Sequence, residues 1–448
     1  MMFQKDIETM NRKEIEALQL ERLKYIVDYC YNNVPFYHER LKAAGVTPGK
    51  IKCLSDIEYI PYTTKEDMRD SYPYGLLATS KKNAVRIHAS SGTTGKPTLG
   101  FYTKNDLEIW SDCVARVAVG GGVTAEDIVQ VSFGYGLFTG ALGLHYGLEK
   151  IGCTVIPASS GNTQKQLMLM RDLGVTGLVA TPSYALYLGE ALKEAGFSRS
   201  EYNLKLGILG SEACTPEMRD QIEESLGIFV SDNYGMTELG GPGVSGECHL
   251  RCGLHIAEDH YLAEIIDRET NKGLGEGEFG ELVVTTLTKE AMPVLRYKTK
   301  DITKLDYSPC ACGRTHARMA KPVGRTDDMI IVKGVNVFPT QVESVIVGME
   351  HIGPHYQLVV RKGSNLLDTL EVKVELINGE LLTHFSMLEK LQRDIKEKLR
   401  SVLGLDVKVT LVEPKTLERF QGKAKRVLDL RKEQEYHWRC LRKLVIWG

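Results

Sequence analysis

The chain has 448 residues, 43% hydrophobic and 25% charged, with a formal net charge of −2. This length supports two or three domains with ample core. The balance excludes a disordered chain and supplies no global field to draw in nucleic acid or anionic lipid.

No apolar run approaches membrane-spanning length. The first residues, with Lys5, Asp6, Glu8, Arg12, Lys13 and Glu14, lack the apolar stretch of a signal peptide. The expectation is a cytoplasmic protein with no nucleic-acid and no membrane partner.

Helical periodicity runs through the first 45 residues, with Leu18, Leu20, Leu23, Ile26 and Val27 among charged positions. From residue 84 to about 240, short apolar runs at 128–131, 154–156, 177–180, 206–209 and 228–230 alternate with helix candidates at 163–173, 183–195 and 216–226. That rhythm predicts a parallel sheet covered by helices. Strand-like runs at 261–266 and 280–286, separated by Asn271, Gly273, Gly275 and Gly277, predict an antiparallel or barrel-like region. Beyond about 324 the pattern becomes two strands (356–361 and 369–376), a helix (381–403) and a further strand (407–411). The predicted fold is therefore a large α/β domain with mixed sheets and a small barrel-like β region, followed by a smaller mobile α+β domain. Residues 434–448, with Trp438, Cys440 and Trp447, follow no pattern.

The densest chemistry lies in Ser90-Ser91-Gly92-Thr93-Thr94-Gly95-Lys96-Pro97. Glycines let a backbone approach a ligand closely. Backbone N–H groups, hydroxyls and an ammonium are the donors that hold a polyphosphate. A Walker loop needs glycine where this chain has Ser90, and Ser or Thr where it has Pro97, so the loop belongs to another nucleotide-binding architecture.

A second element, Asp232-Asn233-Tyr234-Gly235-Met236-Thr237-Glu238, follows a predicted strand at the carboxyl edge where α/β ligand sites fall. Thr237 can hydrogen-bond a phosphate, Glu238 can bind Mg²⁺ through hard oxygens, and Tyr234 can stack on a base. Its plainer reading is a strand-to-helix loop with a capping threonine. Asp301, after the basic run Arg296-Tyr297-Lys298-Thr299-Lys300, can accept hydrogen bonds from ribose hydroxyls or pair with Lys300. Gly324-Arg325-Thr326-Asp327-Asp328 marks the change of composition, and Gly422-Lys423-Ala424-Lys425-Arg426 is a basic loop that alone reads as a solvated turn.

In this order the elements resemble the adenylate-forming superfamily, and within it the phenylacetate–CoA ligases. The resemblance is carried by Tyr234-Gly-Met-Thr-Glu-Leu-Gly-Gly-Pro-Gly-Val, Gly253-Leu-His-Ile-Ala-Glu-Asp-His, Thr285-Thr-Leu-Thr-Lys-Glu-Ala-Met-Pro-Val-Leu-Arg-Tyr and Asp327-Asp-Met-Ile-Ile-Val-Lys-Gly-Val-Asn-Val-Phe-Pro. It runs to about Arg431 and is thin over the first 80 residues.

The resemblance implies a ligase that uses ATP, Mg²⁺ and coenzyme A on phenylacetate or a similar aryl acid, in phenylacetate catabolism. Ser90 to Lys96 would clamp the β- and γ-phosphates. Thr237 would hold the α-phosphate, Glu238 the Mg²⁺ and Tyr234 the adenine, with Asp232 and Gly235 beside them. Gly210, Ser211 and Glu212 would form an adenine wall, and Asp301, assisted by Arg325, would hold the ribose. Asp327 would be the hinge between an adenylation domain (1–326) and a mobile domain (327–448) bearing the catalytic Lys423. Gly334 would flank the pantetheine path. Two other outcomes stay open: transfer to a carrier-protein thiol, and a non-catalytic nucleotide-binding homologue. A homodimer also stays open.

Phe133-Gly134-Tyr135-Gly136-Leu137-Phe138 reads equally as a wall of the acid pocket, with Tyr135, Phe138 and Gly235 touching substrate, or as an aromatic core plug. Of the ten cysteines, Cys30, Cys53, Cys113, Cys153 and Cys214 sit singly and read as core filler. Cys248, His255, Cys310 and Cys312, with Cys252 as substitute, read either as reduced thiols or as a structural Zn²⁺ site. Some members of the resembled family carry zinc here.

Overall fold

The computed structural model describes residues 1–90, 96–326, 328–333, 335–362, 368–419 and 425–431. The chain divides into two compact units. The larger comprises Met1–Thr181, Leu188–Ser211 and Leu226–Val323; the smaller comprises the chain from Gly324 onward with Pro182–Tyr187 and Glu212–Ser225.

In the larger unit, the helices Arg12–Asn33 and Pro35–Ala43 open the fold. Asn11 caps the first, accepting from the Glu14 N–H while Glu14 reaches back. A hairpin follows, β1 (Arg86–Ala89) with β2 (Leu99–Tyr102). Then β3 (Ile128–Val131), β4 (Thr154–Ile156), β5 (Gly177–Ala180), β6 (Leu206–Gly210) and β7 (Phe229–Met236) alternate along the chain with the helices Thr139–Ile151, Thr163–Asp172, Pro182–Glu194 and Pro216–Leu226, of which Pro182–Tyr187 and Pro216–Ser225 fall in the smaller unit. Five further strands follow: β8 (Gly241–Glu247), β9 (Leu254–Ile256), β10 (Tyr261–Ile266), β11 (Gly280–Thr286) and β12 (Tyr297–Thr303). Two short ones end it, β13 (Leu305–Asp306) and β14 (Arg318–Met319).

The central sheet has nine strands in the order β13-β14-β9-β8-β7-β6-β5-β3-β4. Its β3–β7 part is parallel, and β5 and β6 are buried at every residue, as strands covered on both faces require. From β7 outward the pairing turns antiparallel. β10, β11 and β12 pair antiparallel in a separate sheet.

The helix Lys104–Gly120 lies across β8 on a stripe of glycines. A Cβ on Gly241, Gly243 or Gly246 would meet Trp110 at 2.4 Å, Val114 at 2.9 Å or Val117 at 2.4 Å. Those three partners recur at one helix face, so the glycine-rich run after Glu238 is read out as close helix–sheet packing. Trp110 closes the contact by donating its indole N–H to the Pro242 carbonyl at 2.7 Å.

Three expectations are corrected. Residues 232–235 are not a loop: β7 continues to Met236 because β8 returns antiparallel beside it. Asp301 is inside β12 rather than past a strand end. Cys53 is exposed, because it stands at the turn into the 3₁₀ helix Leu54–Tyr59 and contributes nothing to the core.

The smaller unit carries the strands Ile352–Lys362, Asp368–Leu376, Lys408–Val412 and Val427–Asp429, with the helices Pro339–Ile346 and Phe385–Leu403. The first two strands pair antiparallel, and each takes one outer strand in parallel. Ile395, Leu399 and Leu403 repeat every fourth residue and bury one face of the long helix in a core with Leu358, Val360, Val372 and Val374. Among the described residues, no helix is long and apolar enough to cross a membrane.

Candidate active site and metal centre

The phosphate-loop candidate is the connection of the β1–β2 hairpin. Its base is closed from both sides. The Ser90 N–H donates to the Thr98 carbonyl at 2.9 Å, and the Thr98 N–H donates to the Ser90 hydroxyl at 3.2 Å. Lys96 is exposed, with its ammonium 5.5 Å from the centroid of the Tyr72 ring. Ser91, Gly92, Thr93, Thr94 and Gly95 lie outside the described residues, as do Asp327, Gly334, Lys423 and residues 434–448.

Thr237 and Glu238 sit in the turn after β7 and are both buried. The Thr98 hydroxyl donates to Glu238 Oε1 at 2.8 Å, so the loop base and the candidate Mg²⁺ ligand are joined directly. Among the described residues, Glu238 Oε2 takes part in no hydrogen bond or ion pair. A hard cation finds there the oxygen it prefers, and the residue fits the Mg²⁺ role. Thr237 Oγ1 lies 3.4 Å from Thr139 Oγ1, on the first residue of the helix Thr139–Ile151. The turn is braced behind by Tyr102, whose hydroxyl donates to the Gly240 carbonyl at 3.0 Å.

Upstream in β7, Gly235 is demanded by the backbone. The register shifts between Tyr234 and Gly235, and a Cβ there would lie 1.9 Å from the Gly241 carbonyl oxygen. The Tyr234 hydroxyl donates to Asp301 Oδ2 at 2.6 Å, while the ammonium of Lys300 lies 3.6 Å from Glu66. Asp232 Oδ2 is 3.1 Å from the Lys321 ammonium, which also lies 3.6 Å from Glu247. Gly210 ends β6 opposite Asn233, and Ser211 follows with φ 74°. The Glu212 carboxylate accepts from the Ser183 N–H at 2.6 Å, at the start of the helix Pro182–Glu194. In the smaller unit, Arg325 is 3.8 Å from Asp328.

The larger unit thus gathers Ser90, Thr237, Glu238, Tyr234 and Asp301 through linked turns and strands. Thr98 and Thr139 were not foreseen from the sequence. A threonine one residue beyond a glycine-rich loop carries no local signal of its own.

The aromatic segment is pinned beside the hairpin. The Leu137 carbonyl accepts from the Ala89 N–H at 2.8 Å and lies 3.0 Å from His88 Nδ1. Burial, the largest cause, lowers the His88 pKa and so favours the neutral ring. Phe133 is buried in the core, whereas Tyr135 and Phe138 are half-buried, with Phe138 6.3 Å from Phe133 between ring centroids. The Tyr135 hydroxyl lies 3.0 Å from His145 Nδ1, and burial pushes that phenol up.

A second cluster forms at the antiparallel end of the central sheet. Cys248 directly follows β8, His255 is in β9, and Cys310 and Cys312 sit in the turn between β13 and β14. Their ligand atoms all lie within 4.8 Å of one another. The Cys248 and Cys310 sulfurs are 3.9 Å apart, and the Cys312 sulfur is 3.6 Å from His255 Nε2. Tetrahedral Zn²⁺ with ordinary bond lengths spaces sulfurs by about 3.8 Å and sulfur from nitrogen by about 3.6 Å. The donor set therefore fits zinc. Burial, then Arg314 and Arg318, push the His255 pKa down to about 3, so the imidazole is neutral. Burial opposes ionisation of Cys312, but hydrogen bonds from Arg314 outweigh it and the pKa is lowered. Cys252 is exposed, with its sulfur 3.3 Å from the Leu250 carbonyl, and does not enter the cluster.

A Ser/Thr/Gly/Lys connection whose base is hydrogen-bonded to a buried carboxylate turn, at the end of a parallel sheet, fits a nucleotide-binding α/β enzyme. The profile of the AMP-binding enzyme family matches residues 16–288, and that of the AMP-binding enzyme C-terminal domain matches residues 334–431. A phenylacetate-coenzyme A ligase of Thermus thermophilus is 47% identical over 446 residues, spanning 96% of this chain and 100% of that protein. One from Escherichia coli is 46% identical over 428 residues, spanning 95% and 97%. A crystal structure of 2-hydroxyisobutyryl-CoA ligase with 2-HIB-AMP, in the postadenylation state, superposes with a TM-score of 0.90 at 26% identity, covering 98% of this chain and 94% of that one. The chain belongs to the adenylate-forming AMP-binding enzymes and, within them, to the phenylacetate–CoA ligase family.

Proposed function

We propose that the protein joins phenylacetate, or an aryl acid close to it, to coenzyme A with cleavage of ATP to AMP and diphosphate. The observation that carries this reading is the identity of 46–47% with phenylacetate-coenzyme A ligases along nearly the whole chain. The site geometry supports it, because the phosphate hairpin, the Thr237–Glu238 turn and the Tyr234–Asp301 pair meet in one unit.

The reaction runs in two displacements. A carboxylate oxygen of the acid attacks the α-phosphorus, the bond to the β-phosphate oxygen breaks, and diphosphate leaves. The coenzyme A sulfur then attacks the acyl carbon, the bond to the AMP oxygen breaks, and the thiol proton is released. The first step brings two anions together, so positive charge and hydrogen-bond donors at the phosphates lower its barrier.

Ser90 to Lys96 clamp the β- and γ-phosphates, Thr237 holds the α-phosphate, and Lys423 bridges the carboxylate and the α-phosphate. Tyr234 faces the adenine between Asp232, Gly235 and the Gly210–Glu212 wall, and Asp301 with Arg325 holds the ribose. Glu238 holds Mg²⁺, which neutralises phosphate charge when bound. Tyr135 and Phe138 wall the acid pocket. Residues 1–326 form the adenylation domain. A turn of residues 327–448 about Asp327 withdraws Lys423 and opens the pantetheine path past Gly334. Cys248, His255, Cys310 and Cys312 hold a structural Zn²⁺ that fastens the β8, β9 and β13–β14 ends together.

AMP release from ATP and Mg²⁺, measured across a panel of acids with and without coenzyme A, tests this reading. CoA-dependent release with phenylacetate, and little with acetate or fatty acids, is the expected result. Pyrophosphate exchange without CoA turnover would point instead to a carrier-protein thiol as acceptor.

A further inference from the structure

We infer that Thr98 is a positioning residue that aims Glu238 at the metal-bound phosphates of ATP. The inference rests on the proposed ligase reading and adds a residue that the loop motif itself does not contain.

Thr98 is only 1% exposed and Glu238 4%. A buried carboxylate without partners is costly, and a single donor decides which way it faces. Here that donor is the Thr98 hydroxyl, 2.8 Å from Oε1. By occupying Oε1 it leaves Oε2 as the oxygen available to a cation. The backbone of Thr98 is at the same time one half of the loop's base, exchanging two hydrogen bonds with Ser90. One residue therefore fixes the carboxylate relative to Ser90, where the hairpin connection begins.

Tyr102 of β2 also holds this turn, through the Gly240 carbonyl, but that bond reaches the backbone and leaves the direction of the Glu238 carboxylate to Thr98. The carboxylate follows β7 and the loop precedes β2, strands that belong to different sheets. A shift at their junction would separate the candidate metal ligand from Ser90, although each strand stayed intact.

The test compares Thr98→Val, which keeps the shape and backbone bonds but removes the hydroxyl, with Thr98→Ser, which restores it. ATP binding is titrated calorimetrically with Mg²⁺ and with EDTA, in the absence of any acid. The expected result is that the Mg²⁺-dependent gain in ATP affinity falls roughly tenfold in the valine variant and returns in the serine variant. Adenylation falls with it, while conversion of synthetic phenylacetyl-AMP and coenzyme A to thioester stays within about twofold of wild type, since that half-reaction needs no Mg·ATP. Should the valine variant fail to fold, Thr98→Ala carries the same comparison.

A double-mutant cycle with Glu238→Gln separates positioning from mere packing: the two substitutions together should cost little more than Glu238→Gln alone. An unchanged Mg²⁺-dependent gain, equal loss in both half-reactions, or full additivity would overturn the inference. Absence of phenylacetate activity in the wild type would count against the ligase reading and leave the calorimetric comparison standing.

Discussion

The hydroxyl of Tyr234 donates to the carboxylate of Asp301 at 2.6 Å, tying β7 of the central sheet to β12 of the antiparallel sheet. A short O–H···O⁻ bond of this kind is among the stronger ones available to a protein. The pair links the proposed adenine and ribose contacts, so the register of one sheet sets the position of the other. Tyr234→Phe should raise the KM for ATP about tenfold, as loss of one hydrogen bond to a charged group implies. Thioester formation from preformed acyl-adenylate should be spared. Steady-state kinetics on both half-reactions check this.

Lys423→Ala should cut adenylation by roughly 10²–10³-fold, the scale of losing one charge-stabilising donor in the transition state. The second half-reaction, started from synthetic phenylacetyl-AMP, should keep most of its rate. Equal loss in both would refute alternation about Asp327.

Metal analysis of the purified protein should find close to one zinc per chain. Cys310→Ser should reduce that content and lower the melting temperature by several degrees. The turnover of the remaining folded enzyme should change less than twofold, because none of the four cluster residues has a proposed contact with acid, ATP or coenzyme A.

Lys289 gives a pH signature. Its side chain is buried, its ammonium lies 3.9 Å from the centroid of the Tyr102 ring, and burial lowers its pKa from 10.5 to about 8, with Asp106 opposing. The folded pKa is below the unfolded one, so folding disfavours the charged form. That cost, about 3 kcal/mol, is complete below pH 8 and fades as the pH rises toward 10.5. Lys289→Met should therefore melt above wild type at pH 7, and the gap should narrow by pH 10. A gap independent of pH would show that the ammonium is not the destabilising group.

Much of the fold was legible because its signals are local. The strand runs at 128–131, 154–156 and 177–180 and the helix at 216–226 begin and end where apolar runs and caps say they should. Cys248, His255, Cys310 and Cys312 were named together from the sequence, with reduced thiols as the plainer reading of their loose spacing, and their ligand atoms come within 4.8 Å of one another. What stayed hidden depends on tertiary pairing. β7 looked finished at residue 230, because only the return of β8 beside it extends the strand through Tyr234. The glycines after Glu238 read as loop chemistry, although Trp110, Val114 and Val117 need the space they leave. The Thr98–Glu238 and Tyr234–Asp301 bonds span 140 and 67 positions, a separation no periodicity can report.

The proposed reaction is a carboxylate attack on the α-phosphorus followed by thiolysis at the acyl carbon. Phenylacetate labelled with oxygen-18 in its carboxylate, incubated with ATP, Mg²⁺ and coenzyme A, tests it directly by mass spectrometry of the nucleotide product. The expected product is AMP carrying one labelled oxygen, formed together with phenylacetyl-CoA. Unlabelled AMP, or ADP as the product, would contradict it.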